Sequence, residues 1–182
     1  MIPQPVRDLA DMWSEWQVSG DGFPFGPAHC LNGTRVAIGV LRHFGVKATP
    51  FPVRMMMFNR TAWDLYQAGV PVDEWPKKAW SIGVGFDKGN GPGWDGHLMC
   101  EGEGFTLDIS ARQFHRPGLI DIPGPIVLPG NLPHEARGFI QLDEGRLSAI
   151  VERSDDWSYK FAPGWARLQE VEIAETIRRM GG

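Results

Sequence analysis

Two cysteines in 182 residues are too few for a disulfide framework. The chain has no CxxC motif. None of its five histidines, His29, His43, His97, His115 and His134, pairs with another at the spacing of a zinc protease helix, so no metal site is expected. The glycine-rich stretch from Asp87 to Gly96 lacks a Lys-Ser or Lys-Thr ending and does not lead into a helix. It is therefore not a phosphate-binding loop, and no cofactor is expected. No apolar run approaches the length of a membrane span, and the first residues lack the charged lead and apolar run of a secretory signal. A cytoplasmic protein is the expectation. With a net charge of -4 and scattered basic residues, the chain has no basic stripe, which argues against nucleic acid and anionic membranes as partners.

What remains is one globular domain over residues 1–182, with 42% hydrophobic content and ordinary charge. Apolar spacing predicts a helix over Val6 to Gln17, with Val6, Leu9, Trp13 and Trp16 on its inner side. A second helix starts at Cys30 and ends near Gly45, the expected C-terminal cap. An extended run from Val46 to Phe58 follows, in which Pro50 and Pro52 predict an edge position or an irregular start. Met55, Met56 and Met57 are expected to fill core gaps. A short helix over Thr61 to Ala68 and a strand over Ala79 to Phe86, beside the His97 strand, come next. The proline-rich segment Pro117 to Pro133 reads as a loop laid across the body. Strands are expected near Gly138–Leu142, Arg146–Glu152 and Trp157–Phe161. The expected closing helix runs from Pro163 to Met180, with Trp165, Leu168, Val171, Ile173, Ala174 and Ile177 inward.

Chemistry is concentrated at Cys30, His97 and Asp108. Cys30 stands where a loop rich in glycine and proline gives way to the second helix. The helix dipole and free amides of a first turn favour a thiolate and can donate to an oxyanion. His97 and Asp108 flank Gly102-Glu103-Gly104, a hairpin signal. A two-residue loop at Gly102-Glu103 pairs Cys100 with Phe105 and His97 with Asp108, so the carboxylate can fix the imidazole tautomer. Leu98, Cys100, Phe105, Leu107 and Ile109 fall on the other, apolar face. A thiol nucleophile, a base and a group orienting the base are what acyl transfer needs. The glycine-rich stretch is expected to form a mobile flap beside the site, with Trp94, near its end, a wall of the substrate cleft. His29 is expected to point away from its neighbour Cys30.

These pieces resemble the transglutaminase-like branch of the papain-like cysteine enzymes. The resemblance rests on His29-Cys30-Leu31-Asn32-Gly33 leading into the apolar helix, on Gly96-His97-Leu98-Met99, and on Leu107-Asp108-Ile109-Ser110-Ala111-Arg112-Gln113-Phe114. It implies an α+β fold with a papain-like core, helices packed on an antiparallel sheet with the nucleophile at a helix N-terminus. It also implies Cys30 as nucleophile, His97 as base and Asp108 as orienter. Leu31 departs from the tryptophan that many members place after the cysteine, and Gln17 lies too far back for the oxyanion glutamine of papain-type proteases. The implied partner is a peptide or protein substrate or a small amide or ester, cleaved as by a peptidase, amidase or deamidase or passed to an amine. The opposing expectation is an inactive module that binds a peptide or protein in the same cleft.

Overall fold

The computed structural model describes residues 1–19, 30–86, 94, 96–122, 124–132, 138–142, 147–162, 165 and 169–182. Helix α1 spans Gln4–Ser19, α2 Cys30–His43, α3 Arg60–Gln67 and α4 Glu170–Arg179. The strands are β1 Ala48–Asn59, β2 Ser81–Val84, β3 His97–Gly102, β4 Phe105–Asp108, β5 Ile126–Pro129, β6 Gly138–Leu142 and β7 Leu147–Arg153. They form one antiparallel sheet in the order β5-β4-β3-β1-β7-β6. The fold is α+β. No helix among the described residues is long and apolar enough to cross a membrane.

The hydrophobic period of each element decides which core it enters. Val6, Leu9 and Trp13 of α1 and Val36, Val40 and Leu41 of α2 bury against Cys100, Phe105, Leu107 and Ile109 of the β3–β4 hairpin. Gly33 lets α2 approach this closely, because an added β-carbon would stand 3.1 Å from the Ile109 side chain. The alternating residues Phe51, Val53, Met55 and Met57 of β1 join Met99, Phe114, Ala149 and Val151 in a second core. Phe58 turns the other way, under Trp63 and Tyr66 of α3. The methionine run is packing, as expected, with Met56 half-buried on the α3 side.

Several expectations need correction. The strand β1 is central rather than an edge: it pairs with β3 over Ala48 to Val53 and with β7 from Val53 to Asn59. Its prolines fall where the β7 ladder has not yet begun, so their missing amides interrupt no pairing there. β2 does not lie beside the His97 strand; it pairs with Met55 to Phe58 of β1, in line beyond β3. Within the segment read as a loop, Ile126–Pro129 forms β5, the sheet's outer strand next to β4. Residues Ser158–Phe161 are a 3-10 turn rather than a strand, started by the Ser158 amide donating to Asp156 Oδ1 at 2.9 Å. In α4 the inward side is Glu172, Ile173, Thr176 and Ile177, and Val171 is exposed. Leu168, His29, His134 and most of the Asp87–Gly96 stretch lie outside the described residues.

Candidate functional site

Cys30 opens α2 and is 8% exposed. Two buried polar bonds fix its helix in place. One turn on, the Thr34 hydroxyl donates to the Leu98 carbonyl at 3.0 Å, tying α2 to β3 beside His97. The Gln169 amide donates to Asn32 Oδ1 at 2.9 Å, tying α2 to the start of α4. Both anchors lie within the first turns of α2. The thiol therefore stands on a rigid element rather than on a loop.

The hairpin that carries the other two residues has a different register from the expected one. Gly102 pairs with Phe105, Glu101 with Thr106 and Cys100 with Leu107, so the two-residue loop is Glu103-Gly104, with Gly104 at φ 81°. Continued outward, Asp108 faces Met99, and His97 lies two residues further along. A two-residue shift preserves the alternation of faces, so His97 and Asp108 remain on one side as diagonal neighbours. Diagonal positions stay within reach of an imidazole and a carboxylate. His97 Nε2 and Asp108 Oδ2 are 2.8 Å apart, and both side chains are fully buried.

Asp108 is itself held. Its Oδ1 accepts from the Ser110 amide at 3.1 Å and from the Ser110 hydroxyl at 3.3 Å, leaving Oδ2 for the imidazole. The edge of Phe114 packs on the His97 ring, with centroids 5.1 Å apart. Burial opposes a charge on His97, but the Asp108 carboxylate and a hydrogen bond and charge interaction with Cys30 outweigh it. The net effect raises the imidazole from 6.5 to about 10. Asp108 and Cys30 thus both favour the proton on His97. With Nε2 committed to Asp108, Nδ1 is the nitrogen left for another partner.

Nδ1 has a neighbour that the sequence analysis did not assign. Gln113, on the 3-10 turn Ala111–Phe114, places Nε2 at 2.6 Å from His97 Nδ1. Its turn is closed by the Gln113 amide donating to the Ser110 carbonyl at 3.0 Å, and Arg116 donates to the Gln113 carbonyl at 3.0 Å. When the imidazole is neutral, the amide N–H of Gln113 donates to Nδ1. When it is protonated, the amide must turn and offer oxygen. The available signal was a glutamine five residues after Asp108, at the end of the same apolar stretch. Because Gln113 meets the imidazole that Cys30 also acts on, Gln113→Glu sets a second carboxylate beside that ring and its thiol. Alkylation of Cys30 is then expected to move about one pH unit higher, read from rate against pH; an unmoved profile would separate Gln113 from the thiol.

Trp94 packs against the cluster of Cys30, Leu98 and Tyr159, together with Leu31 and Trp165. Gly96 makes room for it: a β-carbon there would be 2.6 Å from the indole ring. Tyr159 was missed because its segment read as a strand. It is fully buried, 5.8 Å from the Trp94 ring and 5.0 Å from the Trp165 ring. Tyr159 and Trp165 also wall a cleft of about 480 Å³ that runs past Pro50, Phe51 and Trp157. On its floor Arg153 is paired with Glu101 and donates to the Leu132 carbonyl at 3.0 Å, so that guanidinium is already satisfied.

Cys100 is free, fully buried and on the apolar face of β3. Burial, with Asp108 and Glu101 adding, pushes its thiol up and keeps it neutral. No cluster of three or more potential metal-ligating side chains occurs among the described residues. No family model, curated protein or solved structure matches the chain.

Proposed function

We propose that the protein is a cysteine-nucleophile acyl-transfer enzyme with a papain-like, transglutaminase-like core, acting on an amide or ester. The observation that carries this reading is the buried His97–Asp108 pair, with Cys30 at the start of α2 adding to the pull on the His97 proton. The Cys30 thiolate attacks the carbonyl carbon, a C–S bond forms, and the carbonyl electron pair moves to oxygen. As the tetrahedral intermediate collapses, the Nδ1 proton of His97 passes to the leaving nitrogen or oxygen, and a thioester remains. Water or an amine then attacks the thioester and gives its proton to Nδ1. The C–S bond breaks and the thiol is restored. Asp108 keeps the ring in the tautomer and orientation this exchange requires.

Site-resolved alkylation by iodoacetamide across pH 5–9 tests the reading, with Cys100 as internal control and His97→Ala alongside. Cys30 is expected to react at neutral pH at least about tenfold faster than an ordinary thiol, and His97→Ala is expected to abolish that advantage. If Cys30 reacts no faster than a free thiol and the variant changes nothing, the enzyme reading fails. The same cleft should then be tested as the peptide-binding site of an inactive module.

A further inference from the structure

Among the described residues, two hydrogen-bond donors beside Cys30 are buried without a partner: the Tyr159 hydroxyl and the Trp94 indole N–H. A buried donor left unpaired is costly, and native structures rarely keep one unless it has a use. An acyl-transfer site has a use for one. The carbonyl oxygen becomes an anion only at the tetrahedral stage, so its donor stands unpaired in the resting protein. The start of α2 offers backbone amides on one side of that oxygen, and a second donor must come from elsewhere.

The two candidates differ in position. The N–H edge of Trp94 lies over Gly96, where a β-carbon would be 2.9 Å from Nε1, so that indole is laid against the backbone leading into His97. Tyr159 belongs to the buried cluster containing Cys30 and also walls the 480 Å³ cleft, so it is shared by the nucleophile's surroundings and that cleft. Its ring is held between Trp94 and Trp165, which fixes the oxygen while the hydroxyl hydrogen can still rotate. Burial also raises its pKa, so the group stays a proton donor at neutral pH. The unpartnered atom of Gln17 is the amide oxygen, an acceptor, which cannot serve.

We infer that the Tyr159 hydroxyl is the second oxyanion donor of the Cys30 site. This rests on the acyl-transfer reading and adds a catalytic residue to it. The donor makes and breaks no covalent bond; it holds its proton and shares it with the developing alkoxide.

The test compares two reagents on the full chain. Alkylation of Cys30 by iodoacetamide proceeds without an oxyanion, whereas acylation by p-nitrophenyl acetate passes through one. Tyr159→Phe keeps every ring contact, and it is expected to slow Cys30 acylation about 100-fold while changing alkylation by less than about threefold. Because it deletes a buried unpaired hydroxyl, it is also expected to raise the melting temperature. A structural tyrosine would do the opposite, lowering the melting temperature and slowing both reactions together, which would overturn the assignment. An unchanged ratio in Tyr159→Phe, or the whole loss appearing in Trp94→Phe instead, would overturn it as well. If Cys30 of the unaltered protein reacts with neither reagent above the level of Cys100, the acyl-transfer reading itself fails. The ratio test then has no part in that failure.

Discussion

Asp108→Ala is expected to destabilise the fold by about 3–5 kcal/mol, because it leaves a fully buried imidazole without its counter-charge. The two side chains expose no surface to water, and no other carboxylate adds to the raised affinity of His97 for its proton. Removing the pair's negative member also strands the Ser110 amide and hydroxyl, which both donate to Asp108 Oδ1. The loss should depend on pH in a defined direction. In the folded protein His97 holds its proton to about 10, against 6.5 for an ordinary histidine. The folded state therefore binds more protons than the unfolded chain between those values. The stabilisation is complete below the lower value and disappears as pH rises through the upper one. In Asp108→Ala only the smaller Cys30 interactions oppose the desolvation of His97, which favours the neutral ring, so most of that contribution is lost. Urea denaturation at pH 6, 8 and 10 should show the gap between the two proteins widest at pH 6 and narrowing towards pH 10. A gap that stays constant across this range would mean that the pair does not carry the charge described for it.

The same pair shows why the site was legible when its detailed geometry was not. Hairpin register depends on which two residues take the turn, and Gly102-Glu103-Gly104 offers a glycine on either side of the glutamate. The sequence analysis chose the first glycine; the fold uses the second, at positive φ. The error was two residues. Side chains alternate with period two, so the predicted faces survived and the predicted partners did not. Cys30 was legible for a different reason: a change from glycine and proline to apolar residues at helical spacing marks a helix start locally.

The elements that were misread are those whose state depends on distant partners. Ile126 to Pro129 has ordinary loop chemistry around it and becomes a strand because β4 presents an open edge to it. Trp157 to Phe161 has the aromatic content of a strand. It turns instead because Asp156 accepts from Ser158, and because the Tyr159 ring is captured between Trp165 and the distant Trp94. Gln113 stands in a motif of the sequence analysis without a role, and Tyr159 is not singled out there, since neither residue type signals chemistry until a fold brings it to a nucleophile.

Asp108→Asn should separate the electrostatic part of the pair from its geometry, with a loss of acyl transfer on the order of 10⁴-fold. The asparagine fills the same volume, and its carboxamide can still meet His97 Nε2. The Ser110 amide and hydroxyl donate to Asp108 Oδ1. If the asparagine oxygen takes those two bonds, its NH₂ is left facing the imidazole. Nε2 must then accept, and the proton moves to Nδ1. The nitrogen proposed to serve Cys30 would already be occupied in the neutral ring, so it could not take the thiol proton. The hydrogen bond between ring and side chain would survive, so stability should fall less than in Asp108→Ala, although the charge contribution is lost in both variants. Two measurements on the same variant check this: turnover of an activated ester, and the urea midpoint at pH 8. A large loss of turnover with a smaller loss of stability than Asp108→Ala shows is the expected pair of results. Turnover close to that of the unaltered protein would mean that the tautomer of His97 does not control the chemistry of Cys30, and Asp108 would then be a structural partner only.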